Sequence, residues 1–246
     1  MTVTTTTSHS ATFEASWKSF DGIHGGLLVA SMIRAAVDAT GALPAAVSAH
    51  LDRPVPPGVA ALTVDDVHGG RTVSCRVALA DSATALVRLA RDVGHTVRTT
   101  SSVAPASDDP STLPRLEIPI DFVPFSQHLD IRPINAARPF AGGDSPEFDV
   151  WIRLLDNLDF TTAERSAVLL DALPPGLFAT LTMPVAIPTV EFSAHFAPTT
   201  PSDSPWHRLR HRTVWATDTL CVDETELFTA TGELAAQARQ LRRILN

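Results

Sequence analysis

The segment Phe20-Asp21-Gly22-Ile23-His24-Gly25-Gly26 runs straight into Leu27-Leu28-Val29-Ala30-Ser31-Met32-Ile33-Arg34-Ala35-Ala36-Val37, where Ser31 and Arg34 are the only polar side chains. A helix of this composition is apolar on nearly every side, and a helix without a polar face has to be enclosed by other protein. Residues 27–37 are therefore a core helix, ended by Gly41 and Pro44. A short strand candidate, 12–17, precedes it. Four strand-like stretches follow, at 47–55, 59–67, 71–80 and 83–93. The third sets Val73, Cys75, Val77 and Leu79 against Ser74, Arg76 and Ala78, the period-2 pattern of an antiparallel sheet covered on one face. His68-Gly69-Gly70 and Asp81-Ser82 supply turns between strands.

The order of elements then recurs. Residues 99–114, rich in Ser, Ala, Asp and Pro, read as a linker with no core of its own. Beyond them, Phe148, Val150, Ile152 and Leu154 alternate with Asp149, Trp151 and Arg153. A helix opens at Thr161, with Thr161-x-x-Glu164 as a capping box, and strand candidates follow at 189–197, 207–216, 220–228 and 234–245. Short identities accompany the pattern. Ser48-Ala49-His50-Leu51 returns as Ser193-Ala194-His195-Phe196 (193 − 48 = 145), and Arg71-Thr72-Val73 as Arg212-Thr213-Val214 (212 − 71 = 141). An internal duplication is the reading that joins them. It divides the chain into a disordered Thr-rich tail over 1–10, a first repeat over 11–100, a linker over 101–116 and a second repeat over 117–246.

Composition narrows the function. The 246 residues carry 19 Lys plus Arg against 27 Asp plus Glu, a net charge of −8 with no basic run, so nucleic acid is not an expected partner. The apolar runs fall short of the roughly 20 residues that span a bilayer. The start lacks the basic and apolar regions of a signal peptide, which makes a cytoplasmic protein the expectation. Cys75 and Cys221 stand in alternating segments outside any Cys/His cluster and read as buried thiols, so no metal is expected.

A strand, a buried helix and a curved antiparallel sheet around that helix, twice over, resembles the double hot-dog, an α+β architecture. The chain is similar to the acyl-CoA thioesterase II family. The residues that carry this resemblance are Phe20 to Gly26, His50-Leu51-Asp52-Arg53-Pro54, Asp149-Val150-Trp151-Ile152-Arg153 and the closing segment Gly232 to Gln240. The resemblance implies an acyl-CoA substrate, hydrolysis to free acid and CoA without a cofactor, and a homo-oligomer, a dimer or larger. It also implies a site in the second repeat: an Asp on the helix, a Thr on the next strand and a Gln on the last strand, which position a water against the thioester carbonyl. Matched by position these are Asp171, Thr189 and Gln240. The chain departs from the family pattern in having Leu170 where a small residue precedes the Asp, and in a basic last strand with Arg239, Arg242 and Arg243.

The chemistry of these residue types agrees with the implied roles. Asp171 follows Ala167 and Val168 by four and three residues, which puts a carboxylate on the apolar face of a helix, a setting for a general base. Thr189 and Gln240 offer donors and acceptors without charge, so they can hold a water without quenching that base. Gly25-Gly26 opens the first helix with bare N–H groups, and His24, Gly25 and Gly26 are the expected substrate-binding residues. Set against this, Asp171 ahead of Pro174-Pro175 also suits a solvent-facing helix end, and Gly25-Gly26 also suits a plain tight turn. The hot-dog dehydratases use a D-x4-H segment, and no Asp here has a His five residues on. No G-x-S-x-G elbow is present for a serine hydrolase. A non-catalytic acyl-CoA or lipid-binding protein of the same fold is the alternative from another class.

Overall fold

The computed structural model describes residues 6–68, 70–94, 109–155, 159–199 and 203–245. The elements of the first half are β1 (Thr6–Phe13), α1 (Gly25–Thr40), β2 (Leu43–Leu51), β3 (Gly58–His68), β4 (Thr72–Leu79) and β5 (Ala83–Ala90). Those of the second are β6 (Leu129–Pro133), β7 (Glu147–Leu154), α2 (Thr162–Leu170), β8 (Thr189–Phe196), β9 (His207–Ala216), β10 (Leu220–Thr229) and β11 (Leu234–Arg243). All described strands join one sheet in the order β1-β3-β4-β5-β2-β8-β11-β10-β9-β7-β6. This is the double hot-dog: α1 packs on the strands of the first half, α2 on those of the second, and the helices pack on each other. No helix among the described residues is long and apolar enough to cross a membrane.

Helix α1 forms where its composition demands enclosure. Leu28, Val29, Ala30, Met32, Ile33, Ala35 and Ala36 are all buried, so the helix is held by packing on several sides and not by one amphipathic face. His24 caps its start by accepting the Leu27 N–H. Gly41 ends it in the left-handed region at φ 65°, where a side chain would be strained, with its N–H on the Val37 carbonyl. Helix α2 starts on the capping box anticipated from the sequence: Thr161 Oγ1 accepts from Glu164 N–H, and the Glu164 carboxylate accepts from Thr161 N–H.

The halves meet at β2 and β8, which pair antiparallel with Ser48 opposite Ser193. Ser193 Oγ donates to Ser48 Oγ at 3.3 Å, so a pseudo-dyad passes between two serines related by the 145-residue shift. The shift holds in detail. In β2 the pairing with β5 skips Ala45 after Pro44, and in β8 the pairing with β11 skips Val190 after Thr189. The bulge was duplicated with the strand. The second identity does not follow the dyad. Strand order relates β4 to β10 and β3 to β9, yet Arg71-Thr72-Val73 leads into β4 while Arg212-Thr213-Val214 lies within β9. That match is a coincidence of three residues.

Two other expectations change. Residues 6–10 are not tail but the outer part of β1, paired residue for residue from Thr6 opposite Asp65 to Phe13 opposite Gly58; the backbone hydrogen bonds that β3 offers outweigh the weak hydrophobicity of a Thr/Ser segment. Residues 15–17, expected to continue that strand, form a 3₁₀ turn that buries Trp17. The expected linker falls outside the described residues over 101–108, and within its remainder Arg132 donates to the carbonyls of Pro110, Ser111 and Leu113.

Candidate active site

Asp171 is the C-cap of α2, one residue past the helix, with φ −105° and ψ 9°. It therefore leaves the apolar face assigned to it from the spacing and reaches across to the start of α1. Gly26 N–H donates to Oδ2 at 2.7 Å, and Gln240 Nε2 donates to Oδ1 at 2.8 Å. The carboxylate thus sits at the positive end of a sixteen-residue helix with one donor on each oxygen. Each oxygen keeps a lone pair, and the side chain is 9% exposed, so a water can reach it.

The approach is possible because residues 25 and 26 have no side chains. A Cβ on Gly25 would lie 2.8 Å from Asp171 Oδ2, and one on Gly26 would lie 2.6 Å from the Ala167 carbonyl and 3.0 Å from Asp171 Cβ. The Gly26 N–H, expected to be bare, is taken by the carboxylate that these glycines admit. Gly25 N–H has no acceptor among the described residues. His24 is also fully engaged. Its Nδ1 accepts from Leu27 N–H at 3.3 Å, so the proton is on Nε2, which donates to the Asp171 carbonyl at 2.9 Å. Burial pushes this imidazole below its ordinary value, against the opposing pull of Asp171, and Phe125 packs against it at 4.3 Å between ring centroids with the rings tilted by 37°. His24 holds the backbone of Asp171 in place.

Thr189 lies opposite Arg242 in the β8–β11 pairing, two residues along β11 from Gln240. Paired residues share a face of the sheet, so Thr189 stands one rung from Gln240 on its side. Its hydroxyl makes no hydrogen bond to Asp171 or Gln240. Of the residues singled out in the sequence, Asp171, Gln240, Gly26 and His24 come into contact; Thr189 and Gly25 are adjacent without touching the carboxylate through a hydrogen bond.

Sequence reasoning missed what stands behind Gln240. Arg242 donates to Gln240 Oε1, and its Nε is 2.6 Å from Asp223 Oδ2. Asp223 also accepts from Thr213 Oγ1 at 2.6 Å and faces His211 Nε2 at 3.4 Å, while His211 Nδ1 meets Thr225 Oγ1 at 2.8 Å. Burial alone would raise the Asp223 carboxyl, but the Arg242 guanidinium, followed by His211 and Thr213, holds it well below the usual carboxylate range. The signal in the sequence was the inward phase of β10, Cys221-x-Asp223-x-Thr225-x-Leu227, in which two polar residues sit where a core strand needs apolar ones.

Four other arginines of this half are committed elsewhere. Arg208 pairs with Asp149, Arg212 and Arg239 with Glu224, and Arg210 with Glu147 and Glu226. The last two groups line an outer hollow of about 610 Å³ whose opposite charges neutralise one another. His50 and His195 are exposed on the same outer side as those charges.

A family model described as acyl-CoA thioesterase N-terminal domain matches residues 13–102, and one described as acyl-CoA thioesterase C-terminal domain matches residues 100–244. Among solved structures, a protein of unknown function with a hot dog fold from Alicyclobacillus acidocaldarius superposes with a TM-score of 0.83 at 20% identity, covering 97% of this chain and 93% of that one. The tesB protein of Mycobacterium avium subs paratuberculosis gives 0.79 at 18% identity over 97% and 93%. The acyl-CoA thioesterase II TesB2 of Mycobacterium marinum gives 0.73 at 16% identity over 97% and 93%. At these identities the likeness is one of fold. No curated protein sequence matches the chain. The two domain matches together run from residue 13 to residue 244, and the chain belongs to the acyl-CoA thioesterase family of thioester hydrolases.

Proposed function

We propose that the protein hydrolyses an acyl-CoA thioester to a free carboxylic acid and CoA, with Asp171 as the general base. The observation that carries this reading is the anchoring of Asp171 by Gly26 N–H and Gln240 Nε2, which fixes a carboxylate at a helix N-terminus and leaves a lone pair on each oxygen. Asp171 takes a proton from a water whose oxygen attacks the thioester carbonyl. Thr189, one rung from Gln240, orients that water with its hydroxyl. The free N–H of Gly25 polarises the carbonyl oxygen as negative charge develops on it. The C–S bond then breaks, and the proton held by Asp171 passes to the departing thiolate. No covalent intermediate forms, and the reaction needs no cofactor.

The test is free-thiol release from short, medium, long, branched and aromatic acyl-CoAs. At least one should be turned over, and Asp171→Asn should lower kcat by about 10²- to 10⁴-fold, the usual loss for a general base, with an unchanged circular dichroism spectrum. Tight acyl-CoA binding without thiol release would overturn the reading in favour of a binding protein.

A further inference from the structure

We infer that Arg242, held by Asp223, is a positioning residue that decides which way the Gln240 amide points and so keeps its N–H₂ on Asp171. The inference rests on the proposed role of Asp171. An amide group is nearly symmetric in shape, and only its partners select between its two orientations. Here the partners select strongly. Oε1 faces the Arg242 guanidinium and Nε2 faces the Asp171 carboxylate; the flipped amide would set donor against donor at one end and acceptor against acceptor at the other. Arg242 itself stops 3.9 Å from Asp171 Oδ1, beyond hydrogen-bond reach, so it acts through Gln240.

The first half supplies an internal control. Gln240 pairs with Phe192 in β8 and Asp223 in β10, and Val87 pairs with Val47 in β2 and Cys75 in β4. Since 192 − 145 = 47, Val87 occupies the place of Gln240. By the same registers Leu89 stands for Arg242, Cys75 for Asp223, Val77 for Thr225 and Val64 for His211. Every one of the ten is at most 5% exposed. The same backbone is therefore built in the first half from apolar residues alone, and the sheet does not need the ion pair. Burying charges carries a desolvation cost that good apolar packing avoids. The second half bears that cost where the chain of contacts ends on Asp171.

The test transplants the first half's residues into the second as a pair, Arg242→Leu with Asp223→Cys, so that neither charge is left buried alone. The double variant should unfold cooperatively near the wild-type temperature. Its kcat should fall about ten- to a hundredfold, the scale of a misplaced catalytic group, with KM changed less than about threefold. The Gln240 side-chain amide resonance should move in a ¹⁵N–¹H spectrum of the free protein. Arg242→Lys, which keeps a donor between Gln240 and Asp223, should recover part of the loss. If the pair does not fold, Arg242→Gln with Asp223→Asn, which removes both charges together and keeps both sites polar, is read in the same way. A folded variant with an unmoved Gln240 resonance and kcat within about twofold of wild type overturns the positioning role. Because the resonance is read without substrate, that result is distinct from absence of thioesterase activity in the wild-type protein.

Discussion

At one end of the contact between the two helices, the start of α1 receives Asp171 from the far side of the pseudo-dyad; towards the other end, Arg34 of α1 reaches Glu164 at the start of α2. Helix α2 brings its own carboxylate, because the capping box places Glu164 over the first turn, and Arg34 then closes that end as a salt bridge. Helix α1 opens on Gly25-Gly26 with no acidic residue in its first turn, and it borrows the carboxylate of Asp171 instead. A helix N-terminus satisfied from within is closed to chemistry; one satisfied from across the dyad holds a carboxylate between two halves. The sheet faces repeat the contrast, apolar around Val87 and polar around Gln240.

The strongest way to break this asymmetry is to give α1 the side chain that α2 already has. Gly26→Ala places a Cβ against the Ala167 carbonyl and Asp171, which should push the helices apart, lower kcat by about a hundredfold or more and cost about 2 kcal/mol of stability. Ala163→Gly, in the first turn of α2, should cost about 1 kcal/mol or less and leave kcat unchanged. Thiol release and thermal unfolding of the two variants decide the comparison.

The dyad-related pair Gln240 and Val87 should differ in activity. Gln240→Ala is expected to lower kcat by about tenfold or more and also to cost about 1–3 kcal/mol, since it leaves the buried Arg242 donor without its acceptor. Val87→Ala should leave kcat alone and cost about 2 kcal/mol, as the loss of buried methyl groups does. Chemical denaturation beside steady-state kinetics would show whether only one of the two equivalent positions serves the reaction. Arg34→Ala strips the ion-pair partner from the 2%-exposed Glu164 side chain. With Arg34 half-exposed and Glu164 still held by the Thr161 N–H, it should cost about 1–2 kcal/mol by the same denaturation measurement, with kcat unaffected.

A pH dependence of stability should accompany these effects. Burial pushes His207 down to about 4 from 6.5. Between those values the unfolded chain binds a proton that the folded protein refuses, so stability should fall as pH drops from 6.5 towards 4 and level off below. The total is about 2 kcal/mol after allowance for partial exposure. His207→Phe should flatten that slope, which denaturation at a series of pH values would reveal.

Much of this architecture was legible because its signals are local. The all-round apolar composition of residues 27–37 required enclosure, and the Thr161–Glu164 box fixed the start of α2. Strands β7 and β9 appeared with the boundaries read from alternation. Strand β1 was partly lost because Thr and Ser carry little hydrophobic signal, and its existence depends on β3 beside it. Strand β6 was missed because five residues ending in Pro133 give alternation no room. Within the site, Gly25, Gly26, Asp171 and Gln240 could be named, but not the bond between Gly26 and Asp171, which are 145 residues apart. The support from Arg242 and Asp223 was harder still, since it converges from two strands onto one amide and only the sheet register reveals it.

The shared sheet also decides what a fragment could do. Strand β8, which carries Thr189, has β11 on one side and β2 on the other. Residues 117–246 contain Asp171, Thr189 and Gln240, yet alone they would expose one edge of β8 and lose the N–H that fixes Asp171. The half without the proposed catalytic side chains contributes backbone, and through that backbone it becomes indispensable.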